Sequence, residues 1–254
     1  MQPASYPADP VLVIQAMGRR IGFIPAASRL ADPGRNFPIL ISMPESDLTM
    51  DEIADKVNER LLKDKRCIVV VSEGLEVGDI GEAKDSFGHA SFGSAKLTVS
   101  QVLINYLNAK GIKTRGQVMG TDQRGSAIYA SHIDLEEAYE VGSKAVEIAI
   151  KDGNGWMATL LRNPGKEYSV RYDKVPLEKV ALSERTFPRS WICGNGFDVT
   201  DEFIQYAQPL IGEVWPDVPM ENGIQRFARL EKIFVEKKLP EYVPEAYRKI
   251  SNIE

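Results

Sequence analysis

Val11 to Gly22 reads VLVIQAMGRRIG, and the reading of this stretch decides the fold. Val11 to Ile14 are four apolar residues in a row, the pattern of a strand buried on both faces. Met17-Gly18-Arg19-Arg20 follows, and Ile21 to Ala31 reads as a short alanine-rich helix packed on a sheet. A glycine between strand and helix lets the backbone turn tightly and approach a ligand closely. On this reading the free N–H groups of the helix start face that ligand, with the positive end of the helix dipole behind them. Two arginines at the same point make an anion site, and phosphate is the commonest anion there. Taken alone, Gly-Arg-Arg reads sooner as a solvated surface pair, Arg19 and Arg20, and the rest of the chain changes that balance.

Strands and helices alternate outward from this turn. Phe37 to Met43 is a second buried strand, and it delivers Pro44-Glu45. Thr49 and Glu52 form a capping box ahead of a helix over Asp51 to Lys65, with Ile53, Val57 and Leu61 on one stripe. Cys67 to Val71 is a third strand that ends in Ser72-Glu73-Gly74, a second carboxylate at a strand end. Glu76 to Phe87 reads as a loop and Gly88 to Ala95 as irregular. Val99, Val102, Leu103, Tyr106 and Leu107 mark a helix stopped by Gly111. Lys113 to Met119 is a strand that carries Arg115 and leads into a polar turn, Gly120-Thr121-Asp122-Gln123-Arg124-Gly125. Asp134 is expected to cap a long helix with Leu135, Ala138, Val141, Ala145, Ile148 and Ala149 on its buried face and Gly153 at its end. Trp156 to Leu161 and Tyr168 to Tyr172 pair as strands across Asn163-Pro164-Gly165. Short helices are expected around Leu177 to Leu182 and Thr200 to Leu210, and the charged tail Lys232 to Glu254 is expected to wrap the surface.

This alternation predicts an α/β fold with a parallel sheet flanked by helices. Open sheets of that kind bind ligands beyond the carboxyl ends of their strands. Arg19, Arg115 and Arg124 together with Glu45 then fit one task, holding a sugar phosphate. Arginine forks the phosphate oxygens, and the carboxylate takes the hydroxyls.

The 254 residues carry a net charge of −5, which argues against a general nucleic-acid surface. No apolar run approaches the roughly 20 residues of a membrane span. The first ten residues, with three prolines, read as an extended lead-in and lack a secretory pattern. Two cysteines and no signal point to a reducing cytoplasm. Cys67 opens a strand and reads as core, Cys193 sits in a Cys-Gly-Asn-Gly turn, and a disulfide stays open. His89 and His132 form no metal pattern with them.

The segments VLVIQAMGRRIGFIPAA, ILISMPES, CIVVVSEG, FGHASFG and TRGQVMGTDQRGSAIYAS, in this order, resemble the phosphofructokinase family. PRSWICGNGFDVT and FARLEKIFVEKKLP resemble its long bacterial pyrophosphate-dependent branch. The resemblance runs from about Val11 to Pro240. It implies phosphoryl transfer to the 1-hydroxyl of fructose 6-phosphate, in glycolysis, with magnesium and either pyrophosphate or ATP as donor.

By position, Met17, Gly18 and Arg19 would line the sugar-phosphate site and Glu45 would bind sugar hydroxyls. Arg124 would hold the 6-phosphate, and Arg115 would reach one in a neighbouring subunit, implying a dimer or tetramer. Thr121, in place of the usual aromatic or histidine, would complete the substrate site. Arg20 stands where the family usually has histidine, Gln15 where it has glutamate, and Pro10 where a basic residue is common.

The family's Gly-Gly-Asp-Gly donor loop and its catalytic aspartate segment lie upstream of the Met-Gly-Arg strand, and neither motif occurs in this sequence. The expected architecture is therefore phosphofructokinase-like without the N-terminal donor-binding lobe, and catalytic and metal-binding residues are expected elsewhere. The expected organisation is a lead-in over 1–10 and a fructose 6-phosphate lobe over 11–123. Residues 124–254 would supply a helix returning toward the donor lobe and a C-terminal extension. Such a chain is an incomplete phosphotransferase, inactive alone, or a half-enzyme whose partner supplies the donor lobe. Alternatively it is a non-catalytic sugar-phosphate-binding or scaffold subunit. Neither nucleic acid nor membrane is expected as a partner.

Overall fold

Continuous β-branched runs suit strands that are covered on both faces, the usual state of a parallel sheet. In the computed structural model of the chain, β1 (Val11–Ala16), β2 (Ile39–Ser42), β3 (Cys67–Ser72) and β4 (Thr114–Val118) form one sheet in the order β2-β3-β1-β4. All its pairings are parallel, with β1 registered from Val11↔Cys67 to Ala16↔Ser72 on β3 and from Val11↔Thr114 to Gln15↔Val118 on β4. The structure describes residues 9–81, 83–84, 90–91, 96–165, 167–181, 183–212 and 217–243. His89, most of the FGHASFG segment and most of the lead-in lie outside the described residues, as does the end of the tail.

Alternate residues of the strands feed two apolar layers. Val11, Val13, Val69 and Val71 pack with Ile53, Ala54 and Val57 of α2 (Met50–Asp64) and with Leu103 and Leu107 of α3 (Val99–Ala109). Leu12, Ile41, Ile68 and Val70 face the other way, onto Ala26 of α1 (Phe23–Ala27) and onto Phe187, Val199 and Phe203. The expected capping box is present, since the Glu52 N–H donates to Thr49 Oγ1 at 3.2 Å and the Thr49 N–H to Glu52 Oε2 at 2.8 Å.

The second layer is tied by a buried guanidinium. Arg29, 1% exposed, donates to both oxygens of Asp198 at 2.8 and 3.1 Å and to the Ile39 and Asp32 carbonyls. This inward fold of Arg29 divides the helix expected over Ile21 to Ala31 into the five-residue α1 and a tight 3-10 turn, Ser28–Ala31.

The polar turn expected at Gly120 to Gly125 is instead a short helix, α4 (Gly120–Gly125). The Asp122 and Gln123 N–H groups both find the Met119 carbonyl and close a helical turn. The long helix, α5 (His132–Lys151), starts earlier than expected, and its cap is Ser131 rather than Asp134; Ser131 Oγ accepts from the Asp134 N–H at 3.4 Å. Its expected buried face is corrected as well. Of the six positions only Ile148 is buried, and Leu135 is 49% exposed.

Helix α5 packs beside an antiparallel hairpin, β5 (Trp156–Arg162) and β6 (Val170–Pro176). α6 (Asp201–Ile211) lays Phe203 and Ala207 on the second layer. By contacts the chain divides into Met1–Pro216 and Asp217–Glu254. The described part of the second unit carries a two-residue ladder, β7 (Met220–Glu221) with β8 (Ile224–Gln225). Both cysteines are free, and burial pushes the Cys67 thiol up to about 12.

Candidate functional site

The sheet delivers three turns at the carboxyl ends of β1, β2 and β3, and a fourth element, α4, follows β4. The turn after β1 is unusual in its backbone. Gly18 has φ +139° and Arg19 has φ +53°, in the region that L side chains rarely adopt. Glycine accepts such a value freely, whereas Arg19 has to be held there.

The end of β3 does the holding. Glu73 Oε1 accepts the N–H groups of Gly18 at 3.2 Å and of Arg19 at 3.0 Å. Ser72 Oγ donates to the Arg19 carbonyl at 2.5 Å, and the Glu73 N–H donates to the Ala16 carbonyl at 3.0 Å. Gly74 is required by this approach, because a Cβ there would lie 2.3 Å from the Arg19 carbonyl oxygen.

Two further amides of the turn are engaged by side chains. The Met17 N–H donates to Gln123 Oε1 at 3.0 Å, and the Gly22 N–H to Glu45 Oε1 at 3.1 Å. Side-chain oxygens of the chain itself thus take the Met17, Gly18, Arg19 and Gly22 N–H groups ahead of α1. Arg19 and Arg20 are exposed at this turn.

Glu45 sits in the 3-10 turn Pro44–Ser46 after β2. Its Oε1 also accepts the Phe187 N–H, at 2.9 Å. Phe187 is fixed among Phe23, Trp191 and Phe203, with ring centroids 5.1 to 5.9 Å away. Glu45 Oε2 is buried and has no hydrogen-bond partner among the described residues. An acceptor in that state is costly until a donor reaches it.

Gln15 is buried, and its Oε1 accepts the Ser100 N–H at 2.9 Å while its carbonyl accepts the Met119 N–H at 3.1 Å. A neutral amide does this without burying a charge. Through Met119 and Gln123, α4 is docked beside the Met-Gly-Arg turn. Arg124 and Thr121 are exposed on α4. Arg124 lines a cavity of about 640 Å³ with Gln123, Ser126, Tyr129, Asp134 and Leu210. Burial pushes the Asp134 carboxyl above its ordinary value.

Arg115 is not brought to this place. It is registered against Leu12, four residues before the end of β1, which sets it roughly 13 Å back along the strand. There it is paired with Asp9 at 2.8 Å. Within this chain Arg115 therefore lies apart from the turns that carry Arg19 and Glu45.

Glu73 and Gln123 were not expected as site residues. A Ser-Glu-Gly directly after a buried strand was the available signal for Glu73, whereas Gln123 needed the three-dimensional docking of α4.

The sequence model of the phosphofructokinase family matches residues 3–149. A pyrophosphate–fructose 6-phosphate 1-phosphotransferase of Halomonas elongata is 36% identical over 240 residues, covering 91% of this chain and 56% of its own. The enzyme of the same name from Xanthomonas campestris pv. campestris is 33% identical over 238 residues, with 91% and 56% covered. A crystal structure of a pyrophosphate-dependent phosphofructokinase from Nitrosospira multiformis matches with a TM-score of 0.77 at 33% identity, over 92% of this chain and 55% of that one. The chain spans about half the length of the curated relatives it matches.

Proposed function

This chain belongs to the phosphofructokinase family, and from that premise we propose that it is the sugar-phosphate-binding half of a pyrophosphate-dependent phosphofructokinase. The reaction of the complete enzyme is phosphoryl transfer to the 1-hydroxyl of fructose 6-phosphate. The observation that carries the reading is the Met17 N–H donating to Gln123 Oε1 at 3.0 Å, which joins two segments 106 residues apart. It sets the Met-Gly-Arg turn against the Gln-Arg-Gly helix, and in this proposal one small anion meets both Arg19 and Arg124.

In this proposal Arg124 holds the 6-phosphate and Arg19 the same or the incoming phosphoryl group, each through its planar fork of donors. Met17 and Gly18 line the sugar. The orphaned Glu45 Oε2 takes a sugar hydroxyl, and the relief of an unsatisfied buried acceptor favours that contact. Thr121, on α4 beside the arginine, contributes a hydroxyl. Arg115, set back along β4, serves a neighbouring subunit. Phosphoryl transfer depends chiefly on positioning and charge stabilisation, and this chain supplies the positioning of the acceptor.

Among the described residues no group of three or more His, Cys, Asp or Glu side chains could hold a metal ion. In this proposal the magnesium that the family implies is held with the donor and the base in the other half of the enzyme. Leu135, Tyr139, Val146 and Ile150, all exposed on α5, support a face for that other half or for a further copy, since apolar patches mark interaction surfaces. Among the described residues no helix is long and apolar enough to cross a membrane, and a cytoplasmic place fits a glycolytic phosphotransferase.

The test is a coupled assay for fructose 1,6-bisphosphate with magnesium and pyrophosphate, then ATP. The chain alone is expected to be inactive, and co-expression with the N-terminal half of a relative to restore pyrophosphate-dependent activity. Activity of the chain alone overturns the half-enzyme reading. Inactivity in both arms points to a non-catalytic binding subunit.

A further inference from the structure

The reading above leaves Glu73 without a role, although, like Glu45, it accepts two backbone N–H groups. Two successive N–H groups, those of Gly18 and Arg19, converge on its Oε1 at 3.2 and 3.0 Å. These successive amides of a turn, aimed at one point, form a concave anion-binding nest. The nest is filled by the chain's own carboxylate. Two neighbours of Glu73 complete the grip, Ser72 through its hydroxyl on the Arg19 carbonyl and Gly74 through the space it leaves there.

We propose that Glu73 is a positioning residue, an internal anion that holds Arg19 in the left-handed conformation and so aims its guanidinium at the sugar phosphate. An arginine released from this grip returns to ordinary backbone angles, because nothing in its own side chain favours φ +53°. Its fork then points elsewhere. The hydrogen bonds, rather than the charge, carry the effect: an amide oxygen in the same position accepts the same two N–H groups. The functional half of this inference rests on the sugar-phosphate reading, and the conformational half does not.

The test uses the full chain with Glu73→Gln and Glu73→Ala. The readouts are amide hydrogen exchange at Gly18 and Arg19 and titration with fructose 6-phosphate. In Glu73→Ala both amides exchange about tenfold faster or more and affinity falls about tenfold, whereas Glu73→Gln stays within about threefold on both. Formate, added at high concentration to Glu73→Ala, refills the nest and slows the two amides again.

Wild-type exchange at Gly18 and Arg19 in Glu73→Ala overturns the proposal, as does equal loss in both variants with no response to formate. Should the wild-type chain bind no fructose 6-phosphate, the sugar-phosphate reading fails, and the exchange rates still decide the positioning role.

Discussion

The end of β3 and the face of α5 treat their groups in opposite ways. Ser72-Glu73-Gly74 engages the amides and carbonyl of the neighbouring turn and admits no added atom. Helix α5 is held by its Ser131 cap and by the β5–β6 hairpin, and it leaves Tyr139 and Ile150 more than 70% exposed. The first region is close-packed and saturated, so small changes in it propagate to the candidate site. The second offers apolar surface whose alteration costs this chain little. A site and a docking face need these opposite properties, rigidity in one and spare surface in the other.

The sharpest way to break this contrast is in the tightly tied region. Arg29→Ala removes the buried guanidinium from Asp198 and Asp32, leaving Asp198 only its longer pair with Arg35, and a loss of about 3–5 kcal/mol in unfolding free energy is expected from denaturant titration. A loss under 1 kcal/mol would mean that the buried network is slack. Gly74→Ala comes next. Its Cβ would collide with the Arg19 carbonyl, and about 1–3 kcal/mol is expected, together with shifted Gly18 and Arg19 amide resonances.

A matched pair compares the two regions directly. Leu103→Ala, in the first apolar layer, is expected to cost about 2–5 kcal/mol. Ile150→Ser on α5 is expected to stay within about 0.5 kcal/mol. Similar costs for the two would show that α5 is buried in solution, by self-association or otherwise.

The smallest expected effect is one of pH. Burial pushes the Asp32 carboxyl up, but the Phe37 and Asn36 N–H groups, the Asn36 side chain and the Arg29 charge outweigh it and hold the group below its ordinary 3.8. A carboxyl lowered in the folded state stabilises fully above its unfolded value and loses that contribution as pH falls through the folded one. Stability measured from pH 5 to pH 2 should therefore fall on acidification, and Asp32→Asn should flatten part of that slope.

Pattern recovered the sheet and α2 well because those residues are buried by their immediate neighbours. Val11 to Ile14 and Cys67 to Val71 are apolar on both faces, and the Thr49–Glu52 box is a local signal that needs no tertiary context. The apolar stripe of α5 was equally legible as a pattern, but periodicity states which residues share a face and not what covers it. The candidate site was legible as residue types at strand ends. Its hydrogen bonding was not, because the amides of one turn are satisfied from β3, from the Pro44–Ser46 turn and from α4, distant in sequence. The separation of Arg115 from the turns was hidden for a related reason: a residue's position within a strand, not its presence on one, decides which end of the sheet it lies near.

The most direct test of the central claim is an amide NMR titration of the full chain with fructose 6-phosphate, repeated on Arg19→Ala/Arg124→Ala. The account predicts shifts confined to the Met17–Gly22 turn, the residues around Glu45 and α4, even at weak affinity, and their disappearance in the double variant. Shifts elsewhere in the wild-type chain, or unchanged binding in the double variant, would contradict it.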